Sequence, residues 1–427
     1  MTVRAVPALS GEIRPPGDKS ISHRAAILSS IGRGQARLRN FSEAADCAAT
    51  VECLRCLGVD IEQIENGELA INGAGREGLR EPEETLDARN SGSTMRMLAG
   101  LLAGQPFLSI ITGDSSLRMR PMERIIRPLS LMGAHFLARG DGSRAPLAIR
   151  GGSLKGISYE LPVASAQVKT AIMLAALFAE GETIIREPVA SRDHTERLLG
   201  SMGARIKAGR GLIRLEAGNL SALDLEIPGD ISSAAAWLVA GAIHPQARFR
   251  AIGTGINPGR TGIISVMEEM GARIVVRNER VVGGEPVADI ETSSSSLEGV
   301  EISGDRVPAL IDEIPLIALA ACYARGRTVI KDAQELRFKE TDRISATAEE
   351  LTKLGGDVAE LRDGLIINGT TKLHGAFCDS HGDHRIAMMA AVAGLVAEGQ
   401  TEVNNAEVAG ISYPGFWDEV RRYQLCD

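Results

Sequence analysis

The sequence predicts an α/β protein of two domains, and three observations support that fold class. The chain has 427 residues, a length typical of two or three domains. Apolar helical runs alternate with β-rich runs such as FLSIITG and ARIVVRN, which excludes a continuously helical solenoid. One local pattern also occurs six times along the chain, so three repeats per domain is the simplest division.

The repeated pattern is an apolar helix, a glycine and a strand, at intervals of about 70 residues. The helices read AAILSSIG, RMLAGLLAG, KTAIMLAALFAEG, AAAWLVAGA, IPLIALAACYARG and IAMMAAVAGLVAEG. A second helix follows in each interval. In five of the six it ends at a glycine, where a positive φ is often needed, and the C-terminal VRRYQL occupies the sixth place. These glycines are Gly58, Gly133, Gly203, Gly271 and Gly355. Each unit is therefore strand–helix–strand–helix–strand(s), and the Pro228–Gly229 turn marks the boundary between the two sets of three.

Composition and charge exclude several classes of protein. The net charge of −8 argues against a nucleic-acid-binding protein, which normally has a basic face. The N-terminal stretch MTVRAVPALSG has no apolar signal region, and no later run approaches a membrane span. The six cysteines include one Cys-x-x-Cys pair, Cys53 and Cys56, but no second pair and no histidine at the spacing of a zinc ligand. We therefore expect a cytoplasmic protein with reduced thiols, no metal, and no membrane or nucleic-acid partner.

Every repeat has a polar or charged cluster just before its first apolar helix: KSISHR, NSGSTMR, SAQVK, GDISS, IDE and GDHR. Helix capping by Ser, Asp or Asn is one interpretation, and it suffices for GDISS. Capping does not explain the Lys and Arg of KSISHR and GDHR, because cations are unfavourable beside a helix N-terminus. Cations at several helix starts predict an anion that they bind together.

Further charged clusters, RMRPMER, SRDHTER and RFKETDR, open the second helices. In the last of these, Lys339 and Arg343 are four residues apart, so we expect them on one helical face with Glu340 beside them. A solvated helix start with salt bridges is the alternative interpretation. The chain lacks the P-loop, H-E-x-x-H and G-x-S-x-G patterns, so nucleotide, metal and serine-hydrolase mechanisms are not supported.

Taken together, these strings resemble the 5-enolpyruvylshikimate-3-phosphate (EPSP) synthase family. Nine motifs in the family's order cover almost the whole chain: PPGDKSISHRA, NSGSTMR, GDSSLRMRP, ASAQVK, RDHTER, PGDISSAA, IDEIP, ELRFKETDRI and DHRIAM. The resemblance implies a two-domain inside-out α/β barrel of six β-α-β-α-β-β repeats, three per domain. The implied domains are residues 1–19 with 229–427, and residues 20–228, with the active site in the interdomain cleft.

The resemblance also implies a reaction, which belongs to the shikimate pathway to chorismate and aromatic amino acids. The enolpyruvyl group of phosphoenolpyruvate moves to the 5-hydroxyl of shikimate 3-phosphate by addition and elimination, and phosphate is released. No metal or cofactor takes part, the only implied partners are these small molecules, and a monomer is expected. Because both substrates carry a phosphate and a carboxylate, many cations must converge on them. A base for the hydroxyl proton and an acid for the methylene carbon are also required.

The matching motifs place the family's site residues on this chain. The implied shikimate 3-phosphate ligands are Lys19, Ser20, Arg24, Ser165, Gln167, Arg192, Asp312 and Lys339. The implied phosphoenolpyruvate ligands are Lys19, Gly92, Arg120, Gln167, Arg343 and Arg385. Lys19, Asp312 and Glu340 are the implied catalytic residues. Asp312 is assigned as the base at the 5-hydroxyl and Glu340 as the group that transfers the proton at the methylene carbon.

Some positions differ from many members of the family. Glu407 stands where many members have a lysine that contacts phosphoenolpyruvate, and Ala166 where many have a second serine. Glu407 thus removes a cation from the phosphoenolpyruvate site, and Ala166 removes a contact to phosphate. Gly92 stands where glyphosate-insensitive members carry alanine. The strings ASAQVK and RDHTER resemble the subgroup that includes glyphosate-insensitive enzymes. Glycine nevertheless leaves room for the longer inhibitor, so Gly92 favours a glyphosate-sensitive enzyme.

Two alternatives remain open. UDP-N-acetylglucosamine enolpyruvyl transferase has the same fold, but it uses a cysteine in the loop where this chain has Ser115 and Ser116. It also has Lys-Asn where Lys19 and Ser20 stand. A non-catalytic anion-binding protein of the same fold would have no need of paired acids within an arginine cluster.

Overall fold

A computed structural model describes residues 1–369 and 372–424 of the chain. It divides into two compact units. Unit 1 contains Met1–Pro16, Gly229–Arg280 and the chain from Pro286 onward, and unit 2 contains Gly17–Pro228 and Val281–Glu285. Each unit has its own hydrophobic core.

The bounds of the units differ from the predicted domain bounds at two places. Gly17–Lys19 belongs to unit 2, because the Asp18 amide donates to Pro228 O at 2.8 Å within that unit. The segment Val281–Glu285 also belongs to unit 2, although the residues on both sides of it belong to unit 1. The predicted domains themselves stay a prediction.

The elements of the N-terminal half follow the repeat. Unit 1 begins with β1 (Thr2–Arg4) and β2 (Leu9–Ile13). The helices of unit 2 are α1 (Lys19–Ser30), α2 (Ala45–Cys56), α3 (Gly92–Ala103), α4 (Glu123–Met132), the single turn α5 (Arg139–Gly142), α6 (Ala166–Ala176) and α7 (His194–Ser201). Its strands are β3 (Gly32–Arg39), β4 (Asp60–Glu65), β5 (Glu68–Ala74), β6 (Leu86–Asp87), β7 (Leu108–Thr112), β8 (His135–Ala138), β9 (Arg144–Arg150), β10 (Ser158–Glu160), β11 (Glu182–Arg186), β12 (Ile206–Gly209), β13 (Leu212–Glu216), β14 (Leu220–Ser221) and β15 (Leu225–Glu226).

The remainder of unit 1 repeats the same order. Its helices are α8 (Ile231–Ile243), α9 (Gly262–Glu269), α10 (Ile314–Tyr323), α11 (Arg343–Lys353), α12 (His384–Gly394) and α13 (Phe416–Gln424). Its strands are β16 (Ala247–Gly255), β17 (Arg273–Val282), β18 (Glu285–Ser293), β19 (Glu301–Ile302), β20 (Arg327–Ile330), β21 (Asp357–Leu361), β22 (Gly364–Asn368), β23 (Phe377–Asp379) and β24 (Gln400–Asn404). Short 3₁₀ helices lie at Leu117–Met119, Gly304–Ala309, Ile311–Glu313, Gln334–Phe338 and Ala406–Ile411.

The described residues form six sheets, three in each unit. The strand orders in unit 2 are β14-β3-β5-β4, β6-β7-β9-β8 and β10-β11-β13-β12. Those in the described part of unit 1 are β17-β18-β16-β2, β19-β20-β22-β21 and β1-β24-β23. A representative repeat is β6-α3-β7-α4-β8-β9, in which β6 and β7 are parallel and the other pairs antiparallel. The N-terminal strands complete unit 1, since β1 pairs with β24 and β2 with β16.

The first helix of each repeat lies inside the unit and the sheets lie outside. Every residue of α8 and α12 is buried, and these helices pack on each other and on α10. Small residues allow such close packing: a Cβ added at Gly100 of α3 would lie 2.2 Å from Ala171 O of α6. The starts of these buried helices are where their charged and capping residues lie.

Within the described residues, six helix starts are capped by side chains. Backbone amides in the first turns of α1, α3, α6, α8, α11 and α12 donate to Asp18, Ser91, Ser165, Asp230, Asp342 and Asp383. The capping interpretation is correct for these residues. It does not account for the lysine and arginines beside them, whose contacts define two clusters, one in each unit.

Candidate active site

Arg343, the first residue of α11, is the centre of the unit 1 cluster. Its side chain is 2% exposed, and Nε donates to Asp383 Oδ2 at 2.7 Å. Nη1 donates to Asp312 Oδ1 at 3.3 Å and Nη2 to Glu340 Oε2 at 2.5 Å. Burial lowers the pKa of Arg343, but the three carboxylates together raise it above its usual value. A buried cation needs such partners, and this one keeps its charge.

Asp312 lies between two cations. It belongs to the 3₁₀ turn Ile311–Glu313, and its Oδ1 is 3.3 Å from Arg343 Nη1 and 3.5 Å from Lys339 Nζ. The prediction that Lys339 and Arg343 share a helical face is wrong, because Asp342 caps α11 and the helix begins only at Arg343. Lys339 follows the 3₁₀ helix Gln334–Phe338. Both cations nevertheless contact the same carboxylate oxygen.

Arg385, near the start of α12, is the second buried arginine of the unit 1 cluster. Its side chain is 8% exposed and its Nη1 lies 3.4 Å from Glu313 Oε1. Its backbone amide donates to the capping Asp383 at 2.7 Å. Arg385 Nε is buried and has no hydrogen-bond partner among the described residues. The guanidinium therefore has donors left with which to bind an anion.

In unit 2, α1 supplies Lys19, Ser20 and Arg24. Lys19 Nζ lies 3.0 Å from Asp46 Oδ2, and both side chains are partly exposed. The buried Arg24 donates through Nη1 to Ser20 O at 2.7 Å and through Nε to Thr195 Oγ1 at 2.8 Å. Burial lowers the pKa of Arg24 to about 10, and the charge of Arg192 acts in the same direction. Arg24 is thus still a cation at neutral pH.

Gln167 and Gly92 lie among the arginines of unit 2. Gln167 Nε2 donates to Ser93 Oγ at 2.9 Å, and its Oε1 accepts from Arg96 Nη1 at 2.6 Å. Gly92 begins α3, and a Cβ added there would lie 3.1 Å from Arg96 Nη1 and 3.4 Å from Arg120 Nη1. Two guanidinium groups therefore flank a backbone that has no side chain to cover it.

The remaining predicted residues are placed as follows. Arg120 Nη2 donates to Asn90 Oδ1 at 2.8 Å. Ser165 caps α6 by accepting from the Val168 amide at 3.5 Å. Glu407 is exposed on the 3₁₀ helix Ala406–Ile411, so this position offers no cation.

Sequence reasoning missed four residues of these clusters: Asp46, Arg96, Glu313 and Asp383. Asp383 and Glu313 were visible in the GDHR and IDE strings, but an acid beside a helix start is first explained as a cap. Arg96 stands in NSGSTMR, and its pairing with Gln167 joins two different repeats. Asp46 had no signal beyond its place in the first turn of α2.

One group of described residues, Glu349, Glu350 and His381, has ligand atoms close enough to hold a metal ion. Lys353 Nζ lies 2.8 Å from both glutamates, and its single positive charge offsets part of their negative charge. Of the cysteines, Cys56 is exposed and the other described ones are buried; Cys426 lies outside the described residues.

No helix in the described part of the chain combines the length and the apolar character needed to cross a membrane.

Comparison with known proteins gives concordant matches. A family model described as EPSP synthase (3-phosphoshikimate 1-carboxyvinyltransferase) matches residues 3–420. The 3-phosphoshikimate 1-carboxyvinyltransferase of Desulforamulus reducens is 51% identical over 422 residues, which is 99% of this chain and 98% of that protein. The Bacillus thuringiensis protein of the same name is 50% identical over 416 residues, 97% of this chain and 96% of its own length.

Solved structures agree. EPSP synthase from Acinetobacter baumannii superposes with a TM-score of 0.90 at 43% identity, over 99% of this chain and 98% of that chain. The enolpyruvyl transferase NikO from Streptomyces tendae has a TM-score of 0.80 at 19% identity, over 99% of this chain and 97% of that one. The second match shows the fold alone.

These matches confirm the predicted family, fold class and enzyme class, and they do not favour the UDP-N-acetylglucosamine enolpyruvyl transferase alternative. The chain therefore belongs to the EPSP synthase (3-phosphoshikimate 1-carboxyvinyltransferase) family.

Proposed function

We propose that this chain transfers the enolpyruvyl group of phosphoenolpyruvate to the 5-hydroxyl of shikimate 3-phosphate and releases phosphate, using residues of both clusters. One observation carries the proposal furthest. The terminal nitrogens of the buried Arg343 bind two different acids, Asp312 through Nη1 and Glu340 through Nη2. The reaction needs two proton-transferring groups beside a bound anion, and a guanidinium between two acids supplies that arrangement.

Phosphoenolpyruvate carries a carboxylate and a phosphate, and we assign it to the cations with donors suited to such groups. Arginine binds either group through a planar fork, which suits Arg120, Arg343 and Arg385. Gly92 allows close approach to the first amides of α3, where the helix dipole favours an anion. Lys19 and Gln167 complete this set.

Shikimate 3-phosphate is assigned to residues at the starts of α1, α6 and α7 together with the Asp312 pair. The hydroxyls of Ser20 and Ser165 and the cationic groups of Arg24 and Arg192 suit a phosphate and a carboxylate. Lys339 and Asp312 are 3.5 Å apart and suit the ring hydroxyls, since one donates and the other accepts.

The chemistry follows in two steps. In the addition, Asp312 takes the proton of the 5-hydroxyl while the hydroxyl oxygen bonds to the central carbon of phosphoenolpyruvate. Glu340, which enters this step protonated, gives its proton to the methylene carbon. In the elimination, the carbon–oxygen bond to phosphate breaks, the new methyl group returns one proton to Glu340, and the leaving phosphate takes the proton that Asp312 held. The products are the enolpyruvyl ether and inorganic phosphate. The positive charge of Lys339 and Arg343 offsets the carboxylate charge of Asp312 between turnovers.

The test is phosphate release from phosphoenolpyruvate with each of two acceptors. Release should require shikimate 3-phosphate and should not occur with UDP-N-acetylglucosamine. Release with the second acceptor would favour the sister enzyme, and release with neither would favour a binding protein. The Asp312→Asn variant should lose at least about 100-fold in kcat; full turnover with unchanged substrate binding would remove Asp312 as the base. A cytoplasmic location, a monomeric state and the interdomain position of the site stay predictions.

A further inference from the structure

Glu313 follows Asp312 directly, but the proposed reaction does not use it. Its carboxylate is 1% exposed, accepts a short hydrogen bond from Ser232 Oγ and lies 3.4 Å from Arg385 Nη1. Ser232 Oγ is in turn 2.6 Å from Arg260 Nη2. These contacts connect the start of α8, the 3₁₀ turn Ile311–Glu313 and the start of α12.

The direction of these hydrogen bonds is determined by their donors. Arginine can only donate, so Ser232 Oγ accepts from Arg260 and gives its single proton to Glu313. Glu313 therefore faces Arg385 as an acceptor. Asp230 pairs with Arg260 at 3.0 Å, so two buried acids balance two buried arginines.

We propose that Glu313 is a positioning residue for Arg385. Held by Ser232, it fixes the guanidinium at Nη1 and leaves the other N–H groups of Arg385 to bind phosphoenolpyruvate. The inference rests on the proposed function, which assigns Arg385 to that substrate.

Two further observations support this role. Arg385 Nε and Glu313 Oε2 are both buried, and neither has a hydrogen-bond partner among the described residues. A purely structural ion pair would use these atoms in a bidentate contact, whereas a guanidinium held at one nitrogen keeps its fork for a second anion. The IDE turn thus holds two arginines through consecutive acids: Asp312 contacts Arg343, and Glu313 contacts Arg385.

The Glu313→Gln variant tests the inference, because it removes the charge while retaining the size and an acceptor for Ser232. We expect KM for phosphoenolpyruvate to rise about tenfold or more, with KM for shikimate 3-phosphate within about twofold of wild type. Glu313→Asp keeps the charge on a shorter stem and should restore part of the lost affinity. Glu298→Gln is the matched control, since Glu298 is an exposed partner of the exposed Arg325 and its loss should leave both KM values unchanged.

Two results would overturn the inference: a KM for phosphoenolpyruvate within about twofold of wild type in Glu313→Gln, or an equal rise of both KM values. The increase in thermal unfolding midpoint on adding phosphoenolpyruvate tests the same residue without turnover. That increase should be smaller in Glu313→Gln than in wild type. The inference would be overturned if both proteins showed the same increase, or if neither showed any. Failure of the proposed function would be seen differently: the wild-type protein itself would release no phosphate from phosphoenolpyruvate.

Discussion

Asp383 and Arg343 form a buried ion pair at 2.7 Å, in which the carboxylate is 0% exposed and the guanidinium 2%. The other oxygen of Asp383 accepts from the Arg385 amide, also at 2.7 Å. One carboxylate therefore caps α12 and holds the first residue of α11. The backbone of one proposed phosphoenolpyruvate ligand and the side chain of another are fixed by the same group.

We expect Asp383→Asn to lower the free energy of unfolding by about 3 kcal/mol, because the variant leaves the buried Arg343 without its most deeply buried charge partner. Urea unfolding at pH 7 measures this. The control is Asp418→Asn at a surface pair, where Asp418 is 76% exposed, and it should stay within about 0.5 kcal/mol. A loss below about 1 kcal/mol in Asp383→Asn would show that Asp312 and Glu340 suffice to hold the arginine.

Gly92→Ala should reduce inhibition by glyphosate by about tenfold or more, and should raise KM for phosphoenolpyruvate by less. The added Cβ would lie 3.1 Å from Arg96 Nη1, so the space beside the α3 start shrinks more for a longer ligand than for a shorter one. Inhibition curves at several phosphoenolpyruvate concentrations measure both effects. Gly200→Ala in α7 is the control, since no atom lies within 4 Å of its added Cβ. Unchanged inhibition of Gly92→Ala would contradict the steric account.

His23 predicts a loss of stability in acid. Its pKa is lowered from the ordinary 6.5 to about 3, mainly because the imidazole is buried. The negative charge of Asp46 raises this pKa, whereas the positive charges of Lys19 and Arg24 lower it. At a pH between these two pKa values, His23 binds a proton in the unfolded chain but not in the folded chain. The free energy of unfolding therefore falls as the pH falls. His23 should account for about 2 kcal/mol between pH 7 and pH 5.

The measurement for His23 is urea unfolding of wild type and His23→Gln at both pH values. The variant should lose less stability on acidification than wild type, whatever its stability at pH 7. His135→Gln, at an exposed histidine, should behave as wild type. Equal losses in His23→Gln and wild type would show that His23 is protonated in the folded chain.

Local signals made the repeats and the helix starts predictable. Glycine after a helix and Ser or Asp before one leave a direct mark on the sequence, as Gly133 and Ser91 do. Side-chain contacts between different repeats leave no such local signal in the sequence. The predicted start of α11 is wrong because the spacing of Lys339 and Arg343 suggested a helix that begins before its cap, Asp342. The buried contact of His194 with Glu285, at 2.8 Å, explains why Val281–Glu285 joins unit 2, and it joins residues far apart in the sequence.

The most direct test of the central claim is the reaction of wild-type enzyme in deuterium oxide with both substrates. Addition followed by elimination makes the methylene carbon a methyl group for the lifetime of the intermediate. We therefore expect deuterium in the vinyl group of the product, detected by proton NMR, and slower incorporation in Glu340→Gln. A product formed at a normal rate with no vinyl deuterium would contradict the account, since the enolpyruvyl group would then have moved without protonation of its methylene carbon.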